Sequence, residues 1–351
     1  MTLWRSMVAV VLLTATVAAS SMELVKSYPE AGAVLPRTLR GVLLKFDQLP
    51  EGVAYEVVVL GDQAERGVLG LHAMGNNDLM AFVPGNLADG QYQLRWRVGD
   101  HSGLVPFSVA RPDGAVDDVW EPPLDIGIVL YDGAEPLDVF GPLEMWMNMG
   151  PETLRVHLIA EQKRPVALTT TSYPKAIAPR LEAQYGFEDA PELDVLMVPG
   201  GIGTLVEVEN PRMISFLQSK LDEVAVATSV CTGSALYAKA GVLEGVGATG
   251  NKAFFDYIVQ QGSADWQKEA RWVESGRFIT SSGVSAGIDM SLAVLERFFG
   301  EPVARMIAQS TEYEWNNDAA ADPFVGNLNS AVPYVEFLKR RFQADQTGAE
   351  D

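Results

Sequence analysis

Apolar and polar positions change rhythm about a third of the way along the chain. From residue 22 to 110 the apolar residues come in short runs at 42–46, 55–60, 79–83, 92–98 and 104–109, separated by clusters of Gly, Pro, Asn and Asp. Tyr92, Leu94, Trp96 and Val98 alternate with Gln93, Arg95 and Arg97, the period of two of a strand with one buried face. Several short strands at this spacing predict a small all-β sandwich. Residues 111–123 carry Pro, Gly and acidic side chains without periodicity and read as a linker. From residue 124 to 335 strands and helices alternate. Strands are expected at 125–130, 156–160, 194–199, 224–230 and 278–282. Helices are expected over 136–149, with Val139, Phe140, Leu143 and Met147 on one face, and over 211–221, 232–240 and 286–299. This βαβ order predicts a mainly parallel sheet covered on both faces, with sites at the carboxyl ends of its strands. Residues 336–351 read as a polar tail, frayed from about Arg341.

Charge narrows the partners. A formal net charge of -20 excludes nucleic acid, which needs a basic face, and disfavours docking on anionic lipid. Arg5, an apolar stretch at 7–17 and small residues to Ser21 read as a signal peptide over 1–21. The stretch is too short to span a membrane, the alternative being an uncleaved interfacial anchor. The mature protein is expected to be soluble and exported.

Cys231 is the only cysteine. Before it, residues 224–230 (VAVATSV) form a buried-strand pattern. After it, residues 232–240 (TGSALYAKA) favour a helix that stops at Gly241. The thiol therefore falls on a strand-to-helix turn, where unpaired amides and the helix dipole favour a thiolate. The bland alternative is a buried cysteine packing as a small hydrophobe. Three further segments are expected on the same sheet edge: residues 135–144 with Asp138, residues 199–203 (PGGIG) and residues 248–252 (ATGNK). Asp138 is placed to shuttle protons, or alternatively to cap its own helix. The backbone of Gly201, Ile202, Thr232 and Gly233 can stabilise negative charge.

Leu137 and Asp138, the strings 199–201 (PGG), 229–233 (SVCTG) and 282–289 (SGVSAGID) together resemble the DJ-1/PfpI superfamily, and within it the isonitrile hydratase-like branch, over about 125–324. The resemblance implies a flavodoxin-like α/β sandwich, a homodimer through that domain, a small electrophilic substrate and no cofactor. It makes Asp138, Cys231 and Thr232 catalytic, with Gly201, Ile202, Gly233 and Asn251 at the substrate. The reaction implied adds water to an isocyanide. Many relatives carry a histidine where Asn251 stands. Asn251 cannot act as a base, and His157 reads as part of a strand, so Cys–His hydrolysis is disfavoured. No basic helix-turn-helix region follows. The acidic, aromatic segment 312–324 resembles the family's C-terminal arm over the pocket or dimer seam, or is a solvated loop. Met145, Trp146 and Phe140 line an apolar pocket or belong to the core.

In the first domain, residues 27–36, 42–46 and 90–98 resemble the CopC-like copper-resistance domain, an Ig-like sandwich of the bacterial periplasm. That family's N-terminal histidine ligand has no match near residues 20–23. Asp100 and His101 match its downstream ligands, and His72, Met74 and Met80 are further soft donors or simple packing residues. A structural or docking role is the main expectation for this domain, and no metal is assigned. Two alternatives to isocyanide hydration stand beside it: glyoxalase-like conversion of α-oxoaldehydes, and a thiol redox sensor with a docking β domain.

Overall fold

A computed structural model describes residues 22–61, 64–73, 75, 77–112 and 122–347. The expected signal segment, Met74, most of the linker and the last four residues lie outside the described residues.

The first domain is a sandwich of β1 (Leu24–Tyr28), β2 (Ala33–Leu35), β3 (Gly41–Phe46), β4 (Tyr55–Gly61), β5 (Glu65–Gly67), β6 (Leu69–Ala73), β7 (Asp78–Phe82), β8 (Gly90–Val98) and β9 (His101–Val109). One sheet runs β1-β3-β7-β6, the other β2-β9-β8-β4-β5. The alternation in β8 places Leu94, Trp96 and Val98 in the core and leaves Arg97 in solvent. Asp100 and His101 sit exposed where β8 turns into β9. Met80 is buried, and the His72 ring is bonded to the Gly70 carbonyl at 2.5 Å. Among the described residues no three His, Cys, Asp or Glu side chains gather as a metal site.

The second domain continues through β10 (Leu124–Leu130), α1 (Pro136–Met147), β11 (Leu154–Ala160), β12 (Pro165–Ala167), β13 (Arg180–Glu182), β14 (Tyr185–Gly186), β15 (Val195–Val198), α2 (Thr204–Glu207) and α3 (Pro211–Leu221). Then follow β16 (Val226–Ser229), α4 (Gly233–Lys239), β17 (Gly247–Ala248), α5 (Phe255–Val259), β18 (Asp265–Trp266), β19 (Trp272–Ser275), β20 (Phe278–Ser281), α6 (Ala286–Phe299), α7 (Glu301–Ser310) and α8 (Val335–Thr347). The main sheet has the order β14-β11-β10-β15-β16-β20-β19 and is parallel except at β19. The winding direction reverses between β10 and β15, the kind of switch point at which open α/β sheets place their sites. This is the flavodoxin-like architecture expected.

Three features differ from the pattern reading. Phe140 and Met147 are 46% and 64% exposed, so α1 buries Val139, Met145 and Trp146 and shows an apolar stripe to solvent. Trp146 and Met145 belong to the core. The polar tail is helix α8, anchored by Phe342 at 4% exposure. Its few apolar residues were outnumbered by charged ones, which masked the period.

The third difference joins the domains. Every residue of β7 is buried. Leu79 and Ala81 point into the sandwich core, while Met80 and Phe82 point out into the core of the α/β domain. Phe82 meets Phe299 edge-on at 5.4 Å between centroids. A Cβ on Gly41 would lie 2.3 Å from Val303 Cγ2, so only glycine lets β3 approach α7 this closely.

Candidate active site

Four loops meet at the carboxyl ends of β10, β15, β16 and β20. Val226–Ser229 is a short buried strand, and the chain must turn sharply to start α4. Cys231 takes that turn with φ of 62°, a left-handed conformation that costs a residue with a Cβ about 1–2 kcal/mol. The surroundings hold it there. Its N–H donates to the Ser281 and Ser282 carbonyls at 3.2 Å, and its carbonyl accepts from Asn251 N–H at 3.1 Å. Two glycines make room. A Cβ at Gly200 would stand 2.7 Å from Cys231 Cβ, and one at Gly283 would stand 2.7 Å from Cys231 Sγ.

Asp138 is the third residue of α1, on the turn facing the sheet, with no exposed surface. It does not cap its own helix: its Oδ2 accepts the Gly200 N–H at 2.8 Å. Oδ1 has no hydrogen-bond partner among the described residues. Burial pushes its pKa well up, the Gly200 hydrogen bond pulls it down, the Glu135 charge pushes it up again, and the Cys231 thiol lowers it. Cys231, 5% exposed, is also pushed well up, first by burial and then by the Asp138 charge. The Asn251 amide and the Thr232 N–H work in the opposite direction. This corrects the expected low-pKa thiol. Helix α4 has only seven residues, so its dipole is slight against complete burial beside a carboxylate. Burial raises both groups and the Asp138 charge raises the thiol further, which disfavours a doubly charged pair.

The remaining expected residues divide. Asn251 Nδ2 donates to Cys231 Sγ at 3.0 Å. Its Oδ1 accepts from Ala253 and Phe254 N–H, which fixes the amide with nitrogen toward sulfur. Thr232 Oγ1 accepts from Gly201 N–H at 2.9 Å and from Thr204 Oγ1 at 2.9 Å. That hydroxyl braces the glycine loop. The Gly201 N–H is thereby occupied, and the Gly233 N–H is held by the Val230 carbonyl at 2.9 Å, so neither is available to an anion here. The Ile202 N–H has no protein acceptor among the described residues. His157 is bonded to Asp125 at 2.6 Å in β11, away from the thiol.

Sequence reasoning missed Tyr131 and the function of Glu135. Tyr131 donates to the Pro199 carbonyl at 2.5 Å and stays a phenol, its pKa pushed well up by burial and by Asp138. Glu135 is half-buried and raised by burial; its N–H holds the Gly200 carbonyl at 2.9 Å. Its place before the Pro136 helix start was the available signal. The arm at 312–324 is docked: Tyr313 OH and Asn316 N–H both bond Asp289 Oδ1, and Trp315 Nε1 bonds the Asp289 carbonyl.

The DJ-1/PfpI family model matches residues 125–297, and the CopC domain model matches residues 24–104. The isonitrile hydratase of Pseudomonas putida is 32% identical over 210 residues, covering 60% of this chain and 85% of that protein. The HTH-type transcriptional regulator GbdR of Pseudomonas aeruginosa is 28% identical over 198 residues, 55% of this chain and 51% of the regulator. A crystal structure of a THiJ/PfpI family protein from Pseudomonas syringae superposes with a TM-score of 0.52 at 24% identity. It covers 66% of this chain and 98% of that one, and it shows the shared fold.

Proposed function

The chain belongs to the DJ-1/PfpI family, and we propose that it is an exported enzyme of that family which hydrates an isocyanide to an N-substituted formamide. The observation that carries the reading is the buried Asp138 carboxyl acting on the Cys231 thiol, with one carboxyl oxygen unpartnered. The 32% identity to an isonitrile hydratase supports the substrate class. Because the thiol is raised, the resting nucleophile is an S–H and needs a base at the moment of attack.

Asp138 carboxylate takes the thiol proton as Sγ bonds the terminal isocyanide carbon. It returns that proton to the same carbon, giving a thioimidate, R–N=CH–S–Cys231. A water then adds to the carbon; Asp138 removes one of its protons and passes it to nitrogen. The C–S bond breaks, the hydroxyl proton returns through Asp138 to sulfur, and R–NH–CHO leaves. The net change is one water added. Asn251 Nδ2 and the Thr232 N–H steady the sulfur whenever it carries charge, and the Ile202 N–H, without a protein acceptor among the described residues, can donate to the oxygen added to the substrate carbon. Thr232, Gly201 and Gly233 act by shaping the loop.

A thiol raised by burial disfavours the redox-sensor alternative, which needs a thiolate at neutral pH. Export is supported by the CopC domain, a periplasmic type. Dimerisation through the α/β domain is supported by the exposed Leu137, Phe140 and Met147 of α1.

The test is formamide release from a panel of alkyl and aryl isocyanides, with α-oxoaldehydes run in parallel. Cys231→Ala and Asp138→Ala should each lose at least ~10³-fold in kcat/KM. Full activity in the purified Cys231→Ala protein would sink the proposal, and turnover of aldehydes alone would replace the reaction while keeping the nucleophile.

A further inference from the structure

Behind the thiol lies a group of four charged side chains that the proposed reaction does not use. Lys252, Arg271, Asp289 and Asp322 have side chains between 0 and 6% exposed. Arg271 donates through Nε to Asp289 Oδ2 at 2.7 Å and through Nη2 to the same oxygen at 2.5 Å. Lys252 Nζ lies 3.5 Å from Asp322 Oδ2, and Arg271 Nη1 lies 3.9 Å from Asp322 Oδ1. Two cations thus balance two anions away from water. Removing one member alone strands a buried charge.

The four residues tie together the segments that surround Cys231. Lys252 follows Asn251 directly, and its Nζ donates to Thr249 Oγ1 at 2.9 Å and the Ala270 carbonyl at 2.6 Å. The Arg271 carbonyl accepts from Ser282 N–H at 2.7 Å, next to the carbonyls that hold Cys231 N–H. Asp289 stands in the first turn of α6, just beyond Gly283. Asp322 belongs to the acidic arm, which then grips the Asn251 loop: Asn329 N–H donates to the Lys252 carbonyl at 2.8 Å, and Ala331 N–H to the Ala253 carbonyl at 3.0 Å. The charged or titratable groups acting on Cys231 itself are Asp138 and Glu135, with Tyr131 beside them. None belongs to the quartet, so the quartet reaches the thiol only through the loop.

We propose that this quartet is a clamp by which the C-terminal arm sets Asn251 against Cys231 Sγ, making Lys252, Arg271, Asp289 and Asp322 positioning residues for the attacking sulfur. The inference rests on the reading of Cys231 as nucleophile, and it assigns the acidic arm a task at the site. Asp322→Asn is the sharpest probe, since it removes the charge and keeps an acceptor for Phe324 N–H.

With a single cysteine in the chain, alkylation by iodoacetamide reports Cys231 alone. Rates are measured from about pH 6 to 10, on the rising limb below the raised midpoint of the buried thiol. Asn251→Ala, which removes a hydrogen bond to charged sulfur, should slow alkylation about tenfold along that limb, displacing the profile toward higher pH. Asp322→Asn should move the profile the same way, by about threefold or more, and should add nothing in the Asn251→Ala background. A wild-type profile in Asp322→Asn, or effects that multiply in the double variant, would overturn the clamp. If circular dichroism shows Asp322→Asn unfolded, the Lys252→Met/Asp322→Leu pair is used, because apolar replacement of a buried ion pair is often tolerated. A shifted profile there supports the clamp and a wild-type one refutes it. Alkylation needs no isocyanide. Shifted profiles without formamide release keep the clamp and remove the hydration reading, whereas hydration with unshifted profiles does the reverse.

Discussion

The role proposed for Asp138 comes at a cost in stability. Its folded-state pKa is raised, mainly by burial, so the folded protein holds a proton that the unfolded chain releases more readily. Stability is full below the unfolded carboxyl pKa of about 4 and declines as pH rises through the raised folded value. Asp138→Asn removes that penalty and can still accept from Gly200 N–H. It should raise Tm by a few degrees at neutral pH, with the gain shrinking as the pH is lowered toward the unfolded carboxyl pKa, while abolishing formamide release; scanning calorimetry across pH checks the sign. At this scale the residues were legible: a lone cysteine on a strand-to-helix turn and an acid opening the first helix of the domain. Their protonation was not, because burial is not written beside a residue in the chain. The same holds for Gly201, whose N–H is consumed by Thr232, a residue 31 positions away.

Helix α8 shows how an element is hidden by its own composition. Residues 335–347 (VEFLKRRFQADQT) are mostly polar, yet Val335 and Phe342 pack on Ile202 and Leu205, at the start of α2. A Cβ on Gly133 would stand 2.5 Å from Phe342 Cζ. The ring therefore presses on the turn that holds the Ile202 loop. Phe342→Ala should destabilise the protein by about 3 kcal/mol, read by denaturant unfolding. It should also lower kcat about tenfold, by loosening the Ile202 N–H. Strand β7 gives the opposite lesson. Its apolar run, 79–83, reads as a strand, but its burial on both faces follows only from what covers the second face, some 220 residues further on, at Phe299.

For the molecule as a whole, the shared core makes the sandwich a structural partner of the α/β domain. Phe82, Met80, Phe299 and Val303 belong to one buried cluster. The two domains should therefore unfold in a single transition, and Phe82→Ala should lower that one transition by about 3 kcal/mol without splitting it; calorimetry with two separate peaks in the wild type would contradict this. The sequence by itself determined the two-domain order, the parallel α/β class, the strand-to-helix turn at Cys231 and the family, since each follows from local periodicity or a short string of residues. The tertiary structure alone decided the raised thiol, the engagement of Gly201, the burial of the Lys252 quartet and the joining of the domains. Those properties depend on which distant groups are brought within a few ångströms and how completely water is removed from between them, and no stretch of chain encodes that separately.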